Sequence, residues 1–244
     1  AKGRYEVYEE LDYASYGQGY RSRIGQAINH NYGYIAERLF IDVNDVANSP
    51  SQTSFNGGAM PGDIKYKDLN GDGKIDDHDH CHQQYSTLPE IYYGFSLGAD
   101  YRNWGIKAHF QGVAHRSVST VLSSIYHPLY GNDKNVSEHY LKNRWTDGTP
   151  DARYPRLTTL SNNHNFQTSS LWMEKGDSLK LRVLELSYKL PTRFAEKMRM
   201  SDCRLFLKGM NLFSIDHVGI MDPEQMDMEY PSSRSYLIGI NVLF

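Results

Sequence analysis

The residues with the clearest capacity for chemistry lie in an acidic turn over 68–79, which reads Asp-Leu-Asn-Gly-Asp-Gly-Lys-Ile-Asp-Asp-His-Asp. The turn follows the pattern D-x-[DN]-x-[DN]-G of calcium-binding loops, which place oxygen ligands at loop positions 1, 3, 5, 7, 9 and 12. Gly73 permits the sharp turn, and we expect Ile75 to point inward and anchor the loop. The predicted ligands are Asp68, Asn70, Asp72, the Lys74 carbonyl, Asp76 and Asp79.

The last position of this turn sets its expected role. Asp79 stands where calcium loops usually have glutamate, so bidentate coordination and affinity are reduced. No helical pattern flanks the turn, which predicts a structural site that rigidifies a loop rather than a calcium sensor. An acidic turn that binds no metal is the alternative. The adjoining His78-Asp79-His80-Cys81-His82 has no standard zinc spacing, so we expect a solvated loop there.

The other residue types point neither to catalysis nor to nucleic acid. We find no nucleophile elbow, phosphate-binding loop, zinc-protease helix or dinucleotide-binding turn, so the sequence does not predict an enzyme. The net charge is −3 and lysine and arginine are not clustered, which argues against a nucleic-acid partner. Cys81 and Cys203 form no metal or redox motif.

Aromatic residues between the predicted strands are candidates for contact with a substrate, because exposed rings stack on the faces of sugars. Among them we single out Tyr126 and Tyr130, for which stacking on a sugar and packing within the loop are equally supported. For Trp145 and Trp172, which sit in regular surroundings, we expect packing within the loop's own small core.

Alternation with period two predicts the elements that position these residues. It predicts strands at 91–101, 104–114, 178–190, 202–212 and 236–244, and a less regular strand at 32–41. Only Arg102-Asn103 separates the first two, which predicts a tight hairpin. The alternation slips near Val183-Leu184, which predicts a bulge. The longer strands match the ~9–11 residues of a tilted membrane strand.

Long and short connections alternate between these strands. The connections over 42–89, 116–178 and 214–233 are long, whereas 102–103 and 191–201 are short. Such alternation is typical of outer-membrane barrels, which have extended loops on one side and short turns on the other. Short helices are predicted at 136–145 and 193–198. A soluble antiparallel sheet with one wet face produces similar strand patterns and is the alternative.

Several segments, taken in order, resemble the C-terminal part of SusC/RagA-like TonB-dependent outer-membrane transporters. The most specific is Pro61-Gly62-Asp63-Ile64-Lys65-Tyr66, which leads into the acidic turn. The others are Ile24–Asn29 with Tyr32-Gly33-Tyr34, Asn143–Thr146, Ala152–Leu157, Leu179–Pro191, Asn211-Leu212-Phe213, Asp222-Pro223-Glu224 and Tyr230-Pro231. Ala27 stands where the family usually has proline, and 77–82 departs from the family's Asp-Asp-x-Asp-Arg.

The resemblance implies an all-β fold in which residues 1–244 supply the last strands of an antiparallel barrel of about 22 strands. Such transporters lie in the outer membrane of Gram-negative bacteria, contact the lipid bilayer and import oligosaccharides, or peptides, with energy from the TonB complex. A SusD-like surface lipoprotein is the implied partner. The plug domain and earlier strands are expected outside this chain.

The resemblance also implies a periplasmic C-terminus, so the loops over 42–89 and 116–178 are expected outside the cell. Calcium in the acidic turn is then retained even at a dissociation constant of ~10⁻⁴–10⁻³ M. The apolar strand that ends at Phe244 resembles the signal by which barrels are recognised for membrane insertion. The competing hypothesis is a soluble, calcium-stabilised β-sheet module that binds carbohydrate or acts as an adhesin.

Overall fold

The computed structural model describes residues 3–55, 58–121, 128–129, 135–159, 164–219, 222–224 and 232–244. The chain divides into two units. The loop unit comprises Ala1–Leu88 with Ser117–Glu174, and the sheet unit comprises Pro89–Arg116 with Lys175–Phe244. Within the described ranges, no helix combines the length and the apolar character needed to cross a membrane.

Strands are the main regular elements, and the α-helices are short. The helices are α1 (Val43–Ala47), α2 (Glu138–Asn143) and α3 (Thr192–Lys197). The strands are β1 (His30–Gly33), β2 (Ala36–Leu39), β3 (Ile64–Tyr66), β4 (Cys81–Ser86), β5 (Ile91–Tyr101), β6 (Trp104–Ala114), β7 (Ser117–Ser119), β8 (Met173–Lys175), β9 (Ser178–Lys189), β10 (Asp202–Asp216) and β11 (Ser235–Leu243).

The sheet unit is a five-stranded antiparallel sheet in the order β11-β10-β9-β6-β5. The predicted hairpin joins β5 to β6, and Arg102 takes the positive φ of 53° that such two-residue turns require. At the same end of the sheet, Asn103 Nδ2 donates to the Lys189 carbonyl at 2.7 Å. All five long strands predicted from alternation are therefore present, with β10 extending beyond its predicted end.

One face of this sheet is apolar. The register aligns Ala99, Ile106, Leu186, Leu207 and Ile238 in a row across all five strands. The four larger side chains of this row are exposed, from 41% for Leu186 to 87% for Ile238. At the turn end of the same face, the Trp104 and Tyr188 rings pack at a centroid distance of 4.8 Å.

The opposite face of the sheet is polar and carries paired charges. The adjacent row aligns Lys107, Glu185 and Lys208 on the three central strands. Lys208 Nζ lies 3.2 Å from one Glu185 carboxylate oxygen, and Arg204 donates to the other at 2.8 Å. The sheet thus separates an apolar surface from a hydrogen-bonded, charged one.

A bulge at Arg182 interrupts the register of the central strand. His109 pairs with Val183 but Phe110 pairs with Leu181, which leaves Arg182 unpaired. The ladder to β10 shifts at the same place. The predicted slip near Val183-Leu184 is therefore confirmed within one residue. The bulge directs Arg182 to the polar face, where its Nε donates to Gln111 at 2.9 Å.

The loop unit has its own core, which is unusually rich in aromatic rings. Tyr66, Tyr140 and Trp172 are fully buried. Each polar tip has a backbone acceptor: Tyr66 Oη donates to the His164 carbonyl at 2.7 Å, Tyr140 Oη to Pro155 at 2.9 Å and Trp172 Nε1 to Asn165 at 2.8 Å. Because buried hydroxyl and indole groups need such partners, these bonds fix the rings in place.

The prediction of one strand over 32–41 was wrong. Two short strands replace it: β1 pairs with β4, and β2 pairs with β3. The break occurs at Tyr34, whose N–H donates to Thr168 at 2.9 Å and whose carbonyl accepts from Ser170 at 3.0 Å. A distant segment takes the hydrogen bonds that a continuous ladder would use. The long connections thus contain strands of their own. The helix predicted over 136–145 is shorter, at α2, and the one predicted over 193–198 is present as α3, one residue earlier.

Candidate functional site

The acidic turn is organised by hydrogen bonds from its own backbone. Asp68 Oδ1 accepts from the Gly71 N–H at 2.6 Å, and Asp68 Oδ2 accepts from Gly73 at 2.8 Å. Asn70 Oδ1 accepts from the Asp72 N–H at 3.0 Å. Gly71 and Gly73 have φ of 75° and 79°, a backbone conformation that is strained for any residue with a side chain. These contacts wrap the first half of the loop around its side-chain oxygens.

The second half of the turn is closed by Asp79, which is fully buried. Its Oδ1 accepts from the Leu69 N–H at 2.7 Å, and its Oδ2 accepts from the Asp76 N–H at 3.0 Å. Asp76 in turn caps a short 3₁₀ helix by accepting from His78 at 2.8 Å. The residue at loop position 12 therefore ties the beginning of the turn to its end.

The turn is anchored to the loop unit by Ile75, which is fully buried as predicted. The Ile75 N–H donates to the Ser51 carbonyl at 2.8 Å, and the Gly73 carbonyl accepts from Ser51 at 2.9 Å. Tyr20 Oη also donates to the His78 carbonyl at 2.8 Å. These contacts fix the position of the turn against neighbouring segments of the chain.

The candidate metal ligands of the turn are hard oxygen atoms, which suit calcium. The structure brings Asn70 and Asp72 together, because Asn70 Nδ2 donates to Asp72 Oδ2 at 3.0 Å, while both Asp68 oxygens accept from backbone N–H groups of the same turn. Hydrogen bonds from the Lys74 N–H and from Asn70 lower the pKa of Asp72, which keeps the carboxylate charged. Among the described residues, however, no three His, Cys, Asp or Glu side chains are grouped to hold a metal. A metal here must therefore draw on Asn70 and the Lys74 carbonyl as well.

The histidines beside the turn have separate neighbours. The His80 ring packs on Tyr34 at 4.1 Å, whereas the His82 ring packs on His30 at 4.3 Å. His78 lies beside Asp76 at 3.1 Å. Burial lowers the pKa of His80 and of His82, so both rings favour the neutral form. The prediction of a solvated loop holds for His78 but was wrong for these two half-buried rings.

A buried ion pair, not singled out as a site from the sequence, holds the loop unit together. Asp63 is fully buried, and its Oδ1 accepts from Arg156 Nε at 2.8 Å and from Asn165 Nδ2 at 2.7 Å. Its Oδ2 accepts from the Met60 N–H at 2.9 Å. The only sequence signal for this contact is that Asp63 and Arg156 both lie within segments that resemble the family.

A further family-like segment, Asn143–Thr146, meets these two at Gly62. A Cβ added there would lie 2.4 Å from the Trp145 ring, so only glycine allows this approach. The Arg156 N–H donates to the Gly62 carbonyl at 2.9 Å, and the Trp145 N–H donates to Tyr154 at 2.8 Å. Trp145 and Trp172 pack inside the unit, as expected. Tyr126 and Tyr130 lie outside the described residues.

On the polar face of the sheet unit, Asp222-Pro223-Glu224 is held by three cations. Lys180, which is 4% exposed, contacts Asp222 and lies 3.1 Å from Glu224 Oε2. Arg182 donates to Glu224, and Arg116 donates to the Pro223 carbonyl at 2.7 Å. Burial raises the pKa of Asp222, but hydrogen bonds led by that of Lys180 outweigh it and lower the pKa to about 2.

Comparison with known proteins finds receptors that are similar to this chain over most of its length. The chain is 27% identical over 201 residues to TonB-dependent receptor P26 of Formosa agariphila, covering 75% of this chain and 20% of the relative. It is 25% identical over 239 residues to TonB-dependent receptor P3 of the same organism, covering 91% and 23%. No protein-family model matches the chain. The chain thus spans about a fifth of the length of these relatives.

Solved structures of the same fold include the RagAB peptide transporter, with a TM-score of 0.64 and 21% identity over 91% of this chain and 23% of that one. The RagAB peptide importer in its open-open state matches with a TM-score of 0.62 and 20% identity, covering 87% and 22%. The relatives are named as receptors and importers, not as enzymes. Over most of its length the chain is therefore similar in sequence to TonB-dependent receptors and in fold to the RagAB transporter, of which it matches a segment.

Proposed function

We propose that the receptor containing this chain is an active transporter of the outer membrane that imports oligosaccharides with energy from the TonB complex. The observation that carries this proposal is the two-faced sheet. Its apolar row, which includes Ile106, Leu207 and Ile238, is exposed, whereas its other face carries the charged contacts of Glu185. Lipid is the natural environment for the first face and a water-filled lumen for the second.

We propose that the five strands form part of the wall of a closed barrel of about 22 strands. The short connections after β5 and β9 lie at one end of the sheet, because Trp104 pairs with Tyr188 and the Leu190 N–H bonds to Cys203. The long connections after β6 and β10 lie at the other end. In the proposed topology the long connections are extracellular, and the short turns and the C-terminus are periplasmic.

The soluble module is the competing proposal. Such a module requires the apolar face of the sheet to pack in a dry core. In the described residues this face is exposed, and the similarity to TonB-dependent receptors extends over most of the chain. Both observations favour the membrane wall.

The substrate class is the finer part of the proposal. Tyr140, Trp145, Tyr154 and Trp172 are buried, so these rings do not support sugar binding. Import of peptides is the second candidate, since the solved relatives are named as peptide importers. We propose a SusD-like surface lipoprotein as the partner that delivers either substrate, on the basis of the same family resemblance.

We also propose that the acidic turn binds calcium as a structural ion. The support comes from its loop spacing, its two glycines of positive φ and the contact between Asn70 and Asp72. Asp76, Asp79 and the Lys74 carbonyl complete the proposed ligand set. The ion would stiffen a turn that Ile75 already anchors to the loop unit.

Uptake in a strain that lacks the full-length receptor tests the transport proposal. We expect radiolabelled oligosaccharides to accumulate only in cells complemented with the receptor gene, and accumulation to cease when TonB is deleted. Labelled peptides serve as the parallel arm. If only peptides accumulate, the substrate class is peptides instead of oligosaccharides. If neither peptides nor oligosaccharides accumulate, the proposal of import is refuted.

A further inference from the structure

A cavity of about 600 Å³ in the loop unit combines aromatic rings with guanidinium groups. Its volume lies within the range of small-molecule sites. The Arg21 guanidinium lies 4.8 Å from the centre of the Tyr13 ring, and that of Arg23 lies 5.4 Å from the Tyr8 ring. Its principal lining side chains are Tyr8, Glu10, Tyr13, Arg21, Arg23 and Tyr32.

The frame of this cavity is held by Glu10. The Glu10 carboxylate accepts from the Ser22 hydroxyl and, at 3.0 Å, from the Arg23 N–H. The hydrogen bond from Ser22 and the one from the Arg23 backbone lower the pKa of Glu10. This carboxylate is thus charged and committed to the backbone that presents the two arginines.

The Arg21 guanidinium is only partly used by hydrogen bonds within the protein. One terminal nitrogen of Arg21 donates to Gln18 Oε1 at 2.9 Å. Its Nε is buried and has no hydrogen-bond partner among the described residues. The guanidinium also hydrogen-bonds to Tyr32, which leaves other N–H groups of its five for an acidic ligand.

The two arginines suit an acidic group. A guanidinium stacked on a ring still directs its N–H groups outward in its own plane, and this fork matches a carboxylate or a sulfate. Tyr8 is 38% exposed, and its hydroxyl accepts from one terminal nitrogen of Arg23 at 3.1 Å, which fixes that guanidinium at the edge of the cavity. Glu9 also lines the cavity and is exposed, so it can accept from sugar hydroxyl groups.

We propose that this cavity binds an acidic sugar residue, bearing a carboxylate or a sulfate ester, of the oligosaccharide that the receptor imports. This inference rests on the proposed function and specifies its substrate class. A sugar suits the walls better than a peptide, because Leu11 is the single aliphatic side chain among the lining residues that the structure describes. Peptide side chains would find little apolar surface there.

Calorimetric titration of the detergent-solubilised full-length receptor tests the proposal. The probes are trigalacturonate, a sulfated galactobiose, neutral galactotriose and the tripeptide Asp-Ala-Asp. The variants are Arg21→Gln, Arg23→Gln and Arg21→Lys, with Arg193→Gln as a control because Arg193 is exposed on α3, outside the cavity. Trigalacturonate and the sulfated sugar distinguish a carboxylate from a sulfate as the recognised group.

We expect at least one acidic sugar to bind the wild-type receptor about tenfold or more tightly than neutral galactotriose. Arg21→Gln and Arg23→Gln should each weaken that binding about tenfold, with little change for the neutral sugar. Arg21→Lys should restore part of it, and Arg193→Gln should leave it unchanged.

Equal binding of neutral and acidic sugars, with no effect of either glutamine variant, would overturn the acidic-sugar site while leaving oligosaccharide import intact. Arginine-dependent binding of the tripeptide alone would assign the cavity to peptides instead. If the wild-type receptor neither binds nor takes up any sugar, the proposed function itself fails.

Discussion

Asp63 and Arg156 lie 93 residues apart in the chain, yet Arg156 Nε donates to Asp63 Oδ1 at 2.8 Å inside the loop unit. Asp63 is fully buried, while the Arg156 side chain is 18% exposed. The pair joins two family-like segments. Asn165 links a third segment to them by donating to the same Asp63 oxygen. The tertiary role of the ion pair is to hold two long connections together.

Removing Arg156 should destabilise the loop unit strongly, because it leaves a buried carboxylate without its counter-charge. We expect Arg156→Met to cost about 3–5 kcal/mol and to expose the loops to protease in intact cells. The double variant Asp63→Leu with Arg156→Met should regain part of the loss. Lys142→Met serves as control, since it breaks an exposed pair with Glu138 worth about 0.5 kcal/mol or less. Equal protease resistance of Arg156→Met and this control would contradict the prediction.

Gly62→Ala should be far more damaging than Gly17→Ala. Both glycines have positive φ, 83° and 70°, so alanine adds roughly 1–2 kcal/mol of backbone strain at either place. Only at Gly62 does the new Cβ also collide with a ring, that of Trp145, whereas nothing lies within 4 Å at Gly17. Protease sensitivity of the loops in the full-length receptor measures the difference. Similar sensitivity of the two variants would show that the close approach to Trp145 is unimportant.

Calcium should protect the acidic turn from proteolysis. We expect addition of about 10 mM calcium to slow cleavage near residues 68–79 in the wild-type receptor, given the ~10⁻⁴–10⁻³ M range of extracellular sites. Asp72→Ala should abolish the protection, since it removes a proposed ligand that Lys74 and Asn70 hold in place. Asp147→Ala, an exposed acidic residue elsewhere in the unit, is the control. Cleavage rates that do not respond to calcium in any of the three proteins would remove the proposed ion.

The two faces of β11 should differ in their tolerance of an added charge. Ile238→Arg places a cation in the apolar row, at a cost of roughly 2–4 kcal/mol if that row faces the middle of a bilayer. Leu237→Arg places the same cation on the polar face, in the row that contains Lys208 and Glu185. We expect the amount of folded receptor in outer membranes to fall for the first variant and to change little for the second. A soluble module would not distinguish the two by membrane content.

The contact between Lys180 and Asp222 should be lost in acid. The pKa of Asp222 in the folded protein, about 2, lies below the ~3.9 of an unfolded aspartate. A depressed pKa of this kind adds stability that is complete above about pH 4 and disappears as the pH falls through 2. Pepsin cleavage between β10 and β11 should therefore rise steeply below pH 4, relative to cleavage of an unstructured peptide.

Lys180→Met provides the matched variant for this contact. Without the ammonium group the pKa of Asp222 should move upward, because hydrogen bonding from Lys180 is a principal cause of its low value. Cleavage of the variant should then begin at a higher pH than in the wild type. Identical pH profiles for the two receptors would show that Lys180 does not hold this segment.

Features built from neighbours in the chain were predictable from the sequence. Alternation of side chains located the five strands of the sheet unit, because successive residues of a strand point to opposite faces. The acidic turn was equally local: the hydrogen bonds that shape it, such as those from Gly71 and Leu69, begin and end within 68–79. Contacts of this kind can be predicted from the spacing of residue types along the chain.

Contacts between distant segments were decided only by the tertiary structure. The strand predicted over 32–41 is divided because Thr168 and Ser170 take the backbone bonds of Tyr34. The ion pair of Asp63 with Arg156 and that of Lys180 with Asp222 likewise join residues far apart in the chain. No periodicity encodes such pairings, since their geometry exists only once the segments have packed against each other. The sequence by itself therefore determined the strands of the sheet unit and the shape of the acidic turn, while packing between distant segments decided how the long connections fold.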